Sequence, residues 1–128
     1  MSIKKIIKGL ALSMLLSSGA ANADWGDVYY CQMTNFVDIK LEGEKKNYKL
    51  EKFQFKLDQT TKSMVFGSSG YYKNSVSKLK EGHFWPDQES WYAYSDFSST
   101  YFDEGKFLDS QIGGASGLVS ISADCDKF

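Results

Sequence analysis

Apolar and polar residues alternate over much of the chain. In KFQFKL (residues 52–57), Phe53, Phe55 and Leu57 fall on one side, and Lys52, Gln54 and Lys56 on the other. LVSISADC (118–125) repeats the pattern, with Val119, Ile121, Ala123 and Cys125 opposed to Ser120, Ser122 and Asp124. DVYYCQMTNFV sets Tyr29, Cys31 and Met33 against Val28, Tyr30 and Gln32. Successive side chains of a pleated strand point to opposite faces, so these runs predict half-buried antiparallel strands. SMVFG, SWYAYSD, STYFD and KFLDSQ are shorter, rich in aromatic or β-branched residues, and read as strands too. Glu104–Gly105, between the last two, predicts a hairpin turn. YYKNSVSKLKEG (71–82) fits either a short helix or an edge strand.

Turn signals separate these runs at short intervals: LEGEKKN, LDQTTK, GSSG, WPDQES, DEGK and IGGASG. Short strands at near-regular spacing predict an all-β antiparallel meander closing into a small barrel or sandwich. No internal repeat, low-complexity tract or linker interrupts the chain.

The N-terminus has a different character. Lys4, Lys5 and Lys8 precede a short apolar run, Gly9 to Leu16, followed by SSGAANA. Ala21 and Ala23 fit the small-residue pattern of signal-peptide cleavage, and the run is shorter than the ~20 residues a membrane span needs. The expectation is a signal peptide over 1–23 and one β domain over 24–128, periplasmic or secreted, with no stable membrane insertion after cleavage. An uncleaved N-terminal anchor is the competing reading.

Charge narrows the partners. All fifteen basic residues are lysines, three of them in the leader, and they face sixteen acidic residues. A mildly acidic domain without arginine lacks the basic face and guanidinium forks of nucleic-acid recognition. Export gives the two cysteines, Cys31 and Cys125, a meaning. In an oxidising compartment they are expected to form a disulfide, the alternative being two buried thiols. Both lie on the apolar faces of their runs, so the bond would tie the first strand to the last.

Catalytic chemistry finds little to stand on. His83 is the only histidine and the only candidate base for a Ser–His–Asp or Cys–His device, and no serine sits in a G-x-S-x-G frame. One histidine and two distant cysteines do not make a zinc site, and Asp124 and Asp126 lie too near the chain end for a calcium loop. Asp103–Glu104 and Asp87–Glu89 are neighbours in polar turns rather than carboxylates facing across a cleft. IGGASG has no lysine after it, so it is not a phosphate loop. The reading is a protein that is not an enzyme, needs no cofactor or metal, and has a binding or structural role towards an unknown protein or small ligand.

GHFWPDQESWYAY (82–94) holds the only histidine, the only proline and two of three tryptophans. Trp85 before Pro86 is pushed towards extended geometry, and Pro86–Asp87 starts a turn. HFW is therefore expected to end one strand, and SWYAY to begin another with Trp91 and Ala93 on one face and Tyr92 and Tyr94 on the other. Aromatics on both faces mean either that both are covered or that one presents a recognition patch. His83, Trp85, Tyr92 and Tyr94 are candidate binding residues on that ground.

VYYC near the start of the domain, SSGYY at 68–72, and Phe84–Trp85 resemble the pattern of periplasmic inhibitors of C-type lysozyme. The resemblance implies a small antiparallel barrel, a terminal cysteine bonded to the first, and a serine-bearing loop that enters the lysozyme cleft. Ser68, Ser69, Gly70 and Tyr72 would form that loop. The chain departs from the pattern in its adjacent serines, in the close spacing of Gly70 and Tyr72, and in the length that follows Phe84–Trp85. A small-molecule carrier with an aromatic-lined barrel is a third reading.

Overall fold

The computed structural model describes residues 23–80, 90–113 and 117–128. His83 and Trp85, with the expected HFW–PDQE corner, lie outside the described residues. The described strands are β1 (Val28–Ile39), β2 (Lys45–Asn47), β3 (Lys52–Asp58), β4 (Ser63–Phe66), β5 (Val76–Lys78), β6 (Trp91–Ser95), β7 (Ser98–Asp103), β8 (Lys106–Ile112) and β9 (Leu118–Lys127). They form one antiparallel sheet in the order β5-β4-β3-β1-β9-β8-β7-β6, with β2 paired to the far end of β1. β2 and β3 follow one another along the same edge of β1, so the wall is an up-and-down meander curled into a nearly closed barrel.

The alternating runs land as their pattern predicts. Phe53, Phe55 and Leu57 of β3 and Ile121, Ala123 and Cys125 of β9 point inward, as do Tyr29, Cys31 and Met33 of β1. The register of β1 on β9 then slips between Met33 and Asn35. A bulge shifts the side-chain phase by one residue. Phe36 and Asp38 are therefore buried, where unbroken alternation would have turned Asn35 and Val37 inward. Glu104 and Gly105 both take positive φ, 48° and 78°, which is the two-residue hairpin turn expected between β7 and β8. Residues 71–80 resolve the other ambiguity as a turn followed by the short edge strand β5.

Aromatic rings fill the interior. Phe55, Phe102 and Phe107 are essentially inaccessible, with Leu57 and Met64 between them. Tyr29 stacks on Phe55 at 5.5 Å and meets Phe102 edge-on at 4.7 Å. Phe53 lies 4.7 Å from Phe107. Trp91 is half-buried against this core and packs edge-on against Trp25 at 4.9 Å, while Ala93 beside it points fully inward.

Cys31 and Cys125 are direct cross-strand partners of β1 and β9, bonded as a disulfide with Cα atoms 4.0 Å apart. The bond links strands 94 positions apart in sequence, and closing a loop of that length stabilises by about 4–5 kcal/mol in the chain-entropy picture. Cys31→Ala is expected to cost about 2–5 kcal/mol in denaturant unfolding, and intact protein should show no alkylatable thiol before reduction.

Candidate functional site

Three surface features and one buried network are built from residues able to do chemistry or recognition. The buried network lies inside the barrel near the Ile39 end of β1. Asp109 of β8 accepts hydrogen bonds from the Tyr72 hydroxyl (2.6 Å), the Thr100 hydroxyl (2.9 Å) and the Gln111 amide (2.8 Å). Asp38 of β1, also buried, is held by the Lys40 ammonium at 2.8 Å and the Tyr48 hydroxyl at 3.2 Å. Hydrogen bonding to Lys40 holds the Asp38 carboxyl below its usual range, and the same contact raises Lys40. Burial, with the neighbouring Asp109 charge, pushes the Tyr72 hydroxyl far above its ordinary value. Burial, then the charge of Asp27, raises Tyr29 to about 12. Each of the two carboxylates is engaged by its own donors, and Asp109 also reaches the lining of the outer trough described below.

The loop that the lysozyme-inhibitor resemblance singles out runs from β4 to β5. Ser68, Ser69 and Gly70 are exposed, but the loop lies back against β3. The Gly67 and Tyr71 N–H groups bond to the Gln54 and Lys52 carbonyls at 3.0 and 3.1 Å. Gly70 has φ +95°, and a Cβ there would come within 2.6 Å of the Lys52 carbonyl, so only glycine fits. The resemblance places Tyr72 on an exposed loop, whereas the structure buries it. The fold-back turns its ring inward between Phe53 and Phe66, 4.9 and 4.8 Å away.

Tyr92 and Tyr94 share the outer face of β6, their rings 5.4 Å apart, with the Lys80 ammonium 5.0 Å from the Tyr94 ring. They stand at the seam of the barrel. β5 and β6 are the two edges of the sheet, and among the described residues they meet at one bridge, Leu79 with Ala93. The Lys80 N–H donates to the Tyr92 carbonyl at 2.8 Å beside that bridge. Beyond it the strands diverge around a cleft of about 280 Å³, lined by Val76, Ser77 and Lys78 on one side and by Tyr94, Ser95 and Thr100 on the other. A second hollow of about 350 Å³ lies below the bridge, between Trp25, Lys62, Leu79 and Tyr92.

The third feature is a trough of about 600 Å³ on the outer wall formed by β2, β1, β9, β8 and β7. Cross-strand register lines up Val37, Ser120, Ser110 and Ser99 as its floor. No sequence window contains this row, because its members come from four strands. Asp109 was within reach of sequence reasoning, since it follows the inward Phe107 by two positions.

Among the described residues no group of three histidine, cysteine or acidic side chains is placed to hold a metal, and no helix is long and apolar enough to cross a membrane. The chain matches no family model, no curated protein and no solved structure.

The pKa shifts give a two-sided pH expectation. Tyr29 is raised in the fold, so its contribution is complete below pH ~10 and is lost as pH climbs towards 12. Asp38 is lowered, as is Asp58 through its bonds to Thr61, so their contributions hold above pH ~4 and fade as pH falls below it. Titration at 295 nm should show Tyr29 and Tyr72 ionising only as the fold opens. Tyr72→Phe, which leaves Asp109 short of one buried donor, should cost about 1–3 kcal/mol.

Proposed function

We propose that this is an exported, non-catalytic binding protein that takes an extended segment of a partner polypeptide at the β5–β6 seam. The supporting observation is the interruption of the barrel wall there. Among the described residues every other pair of neighbouring strands shares a ladder of at least three residue pairs, but β5 and β6 meet at one bridge and then part around a cleft. Strand edges that face each other across a gap can accept an added strand, with main-chain bonds giving affinity and side-chain pockets giving selectivity. Tyr94 and the 60%-exposed Val76 offer apolar contact on either side. Lys78 and Lys80 favour a segment carrying acidic residues. Export rests on the signal-like N-terminus and on the disulfide, which persists in the periplasm or outside the cell.

Panning a displayed library of random peptides of about ten residues against the folded protein tests this reading. Enriched peptides are expected to be acidic, to shift the backbone amides of Val76, Ser77, Tyr94 and Ser95, and to bind Tyr94→Ala at least about tenfold more weakly. Failure to enrich any peptide, or shifts confined to other strands, would overturn it.

Inhibition of a C-type lysozyme is a second reading. It is favoured by the small barrel with its first-to-last disulfide and by the exposure of Ser68, Ser69 and Gly70. Inhibition at micromolar protein that disappears in Ser69→Lys, with unchanged melting temperature, is the outcome it requires. The carrier reading draws no support from a barrel centre occupied by Phe55, Phe102 and Phe107.

A further inference from the structure

The outer trough of about 600 Å³ is used by neither reading above. Its floor is one cross-strand row, with Val37 beside Ser120, Ser120 beside Ser110, and Ser110 beside Ser99. The next row along the strands, Asn35, Ser122, Leu108 and Tyr101, forms one side. The row on the other side, Ile39, Leu118 and Ile112, is an apolar ridge. These side chains share the outer face, because the positions that alternate with them, such as Phe107, Asp109, Ile121 and Ala123, are buried.

The lining restricts what can occupy the trough. β1, β9, β8 and β7 each have a paired neighbour on both sides, so no main-chain edge is open here and an extended polypeptide cannot add as a strand. Among the described residues Lys45, at the β2 end, is the one cation of the lining, too few for a polyanion. Asp109 is its one acidic residue, and the carboxylate is taken by Tyr72, Thr100 and Gln111. The rest is uncharged. Asn35, Ser99, Ser110, Ser120 and Ser122 offer neutral donors and acceptors, and Val37, Leu108 and Tyr101 offer apolar surface.

The serines decide between the remaining ligands. Ser122 is engaged by Thr34 and Asn35, and Ser99 by Tyr92. The Ser110 and Ser120 side chains are half-buried, and among the described residues their hydroxyls have no protein partner. An alkyl chain lying on them would strip their water and offer no hydrogen bond in return. The occupant must instead carry hydroxyl-like groups along one side and C–H surface along another. A sugar chain has that make-up, since each ring joins hydroxyls at its edge to an apolar C–H face. Ser120, Ser110 and Ser99 repeat at the inter-strand step and span about 10 Å, the length of an extended disaccharide.

We propose that the trough is a carbohydrate site for an uncharged, extended oligosaccharide lying across β9, β8 and β7. Hydroxyls of the sugar chain bond to Ser120, Ser110 and Ser99, and the C–H face of one ring packs on Tyr101 at the β7 end. The site is separate from the seam and does not depend on it. An open trough with a few neutral hydrogen bonds binds weakly, with a Kd of about 1 mM.

Titration of the folded protein with cellotetraose and with chitotetraose, each to about 10 mM and followed by backbone amide NMR shifts, tests this. At least one of the two is expected to move the amides of Ser99, Ser110 and Ser120 saturably, and to leave those of Val76 and Ser77 at the seam in place. Ser110→Ala and Ser120→Ala remove hydroxyls that hold nothing in the protein. Each should weaken binding at least about threefold with unchanged melting temperature. Ser110→Leu, which fills the trough from its floor, should abolish binding. The two alanine variants keep the test decisive even if Ser110→Leu destabilises the wall. No saturable shift with either sugar would overturn the proposal. Shifts centred on other strands, or binding that survives all three substitutions, would overturn it as well.

Discussion

The pairing of β1 with β9 holds the barrel together. These strands lie at opposite ends of the folded chain, and their ladder runs from Tyr29↔Lys127 to Ile39↔Leu118. Closing so long a loop before any contact repays it is entropically costly. The Cys31–Cys125 bond sits within that ladder and lowers the cost by restricting the unfolded chain. Once β1 and β9 are side by side, β3 and β4 add on one flank, and β8, β7 and β6 on the other. Each joins its sequence neighbour through a short local connection. The two flanks curl until β5 and β6 approach, and closure is weakest there because it is furthest from the clamp.

The interior explains why function is sought on the outside. Phe53, Phe55, Phe66, Phe102 and Phe107 occupy the centre, and rings at such separations interlock as close-packed solids do. The two carboxylates admitted inside lie near the Ile39 end, where Asp109 and Asp38 have their own donors. Burying a carboxylate without partners is costly, so this network favours one arrangement of the strands around it. It orders the fold-back of the β4–β5 loop through Tyr72, and that loop in turn fixes where β5 begins.

The outer surface is left with two contrasting regions. At the seam, strand edges face each other across a gap beside Tyr94 and Lys80. On the opposite wall the strands stay paired, with one bulge between β1 and β9, and small side chains floor a trough. The first suits main-chain pairing with an extended segment.

The sequence left β2 in LEGEKKN, which reads as a turn, and β5 in a stretch that also fits a helix. By itself it determined the other seven strands, the inward identity of Phe53, Phe55, Leu57, Ile121 and Ala123, the Glu104–Gly105 turn, and the one intramolecular partner open to each cysteine. Each depends on period two, on a dipeptide, or on there being one possible partner, which are local or exhaustive constraints. Tyr92 and Tyr94 were legible as an outward pair for the same reason. The tertiary structure decided what depends on register. The bulge after Met33 turned Phe36 and Asp38 inward against the expected phase, because the match to β9 outweighed strict alternation. The backbone of β3 drew the loop at 67–75 down and buried Tyr72, which no property of SSGYY announces. The serine floor and the apolar ridge exist only once four strands are aligned, since the neighbours in each row are separated by long stretches of chain.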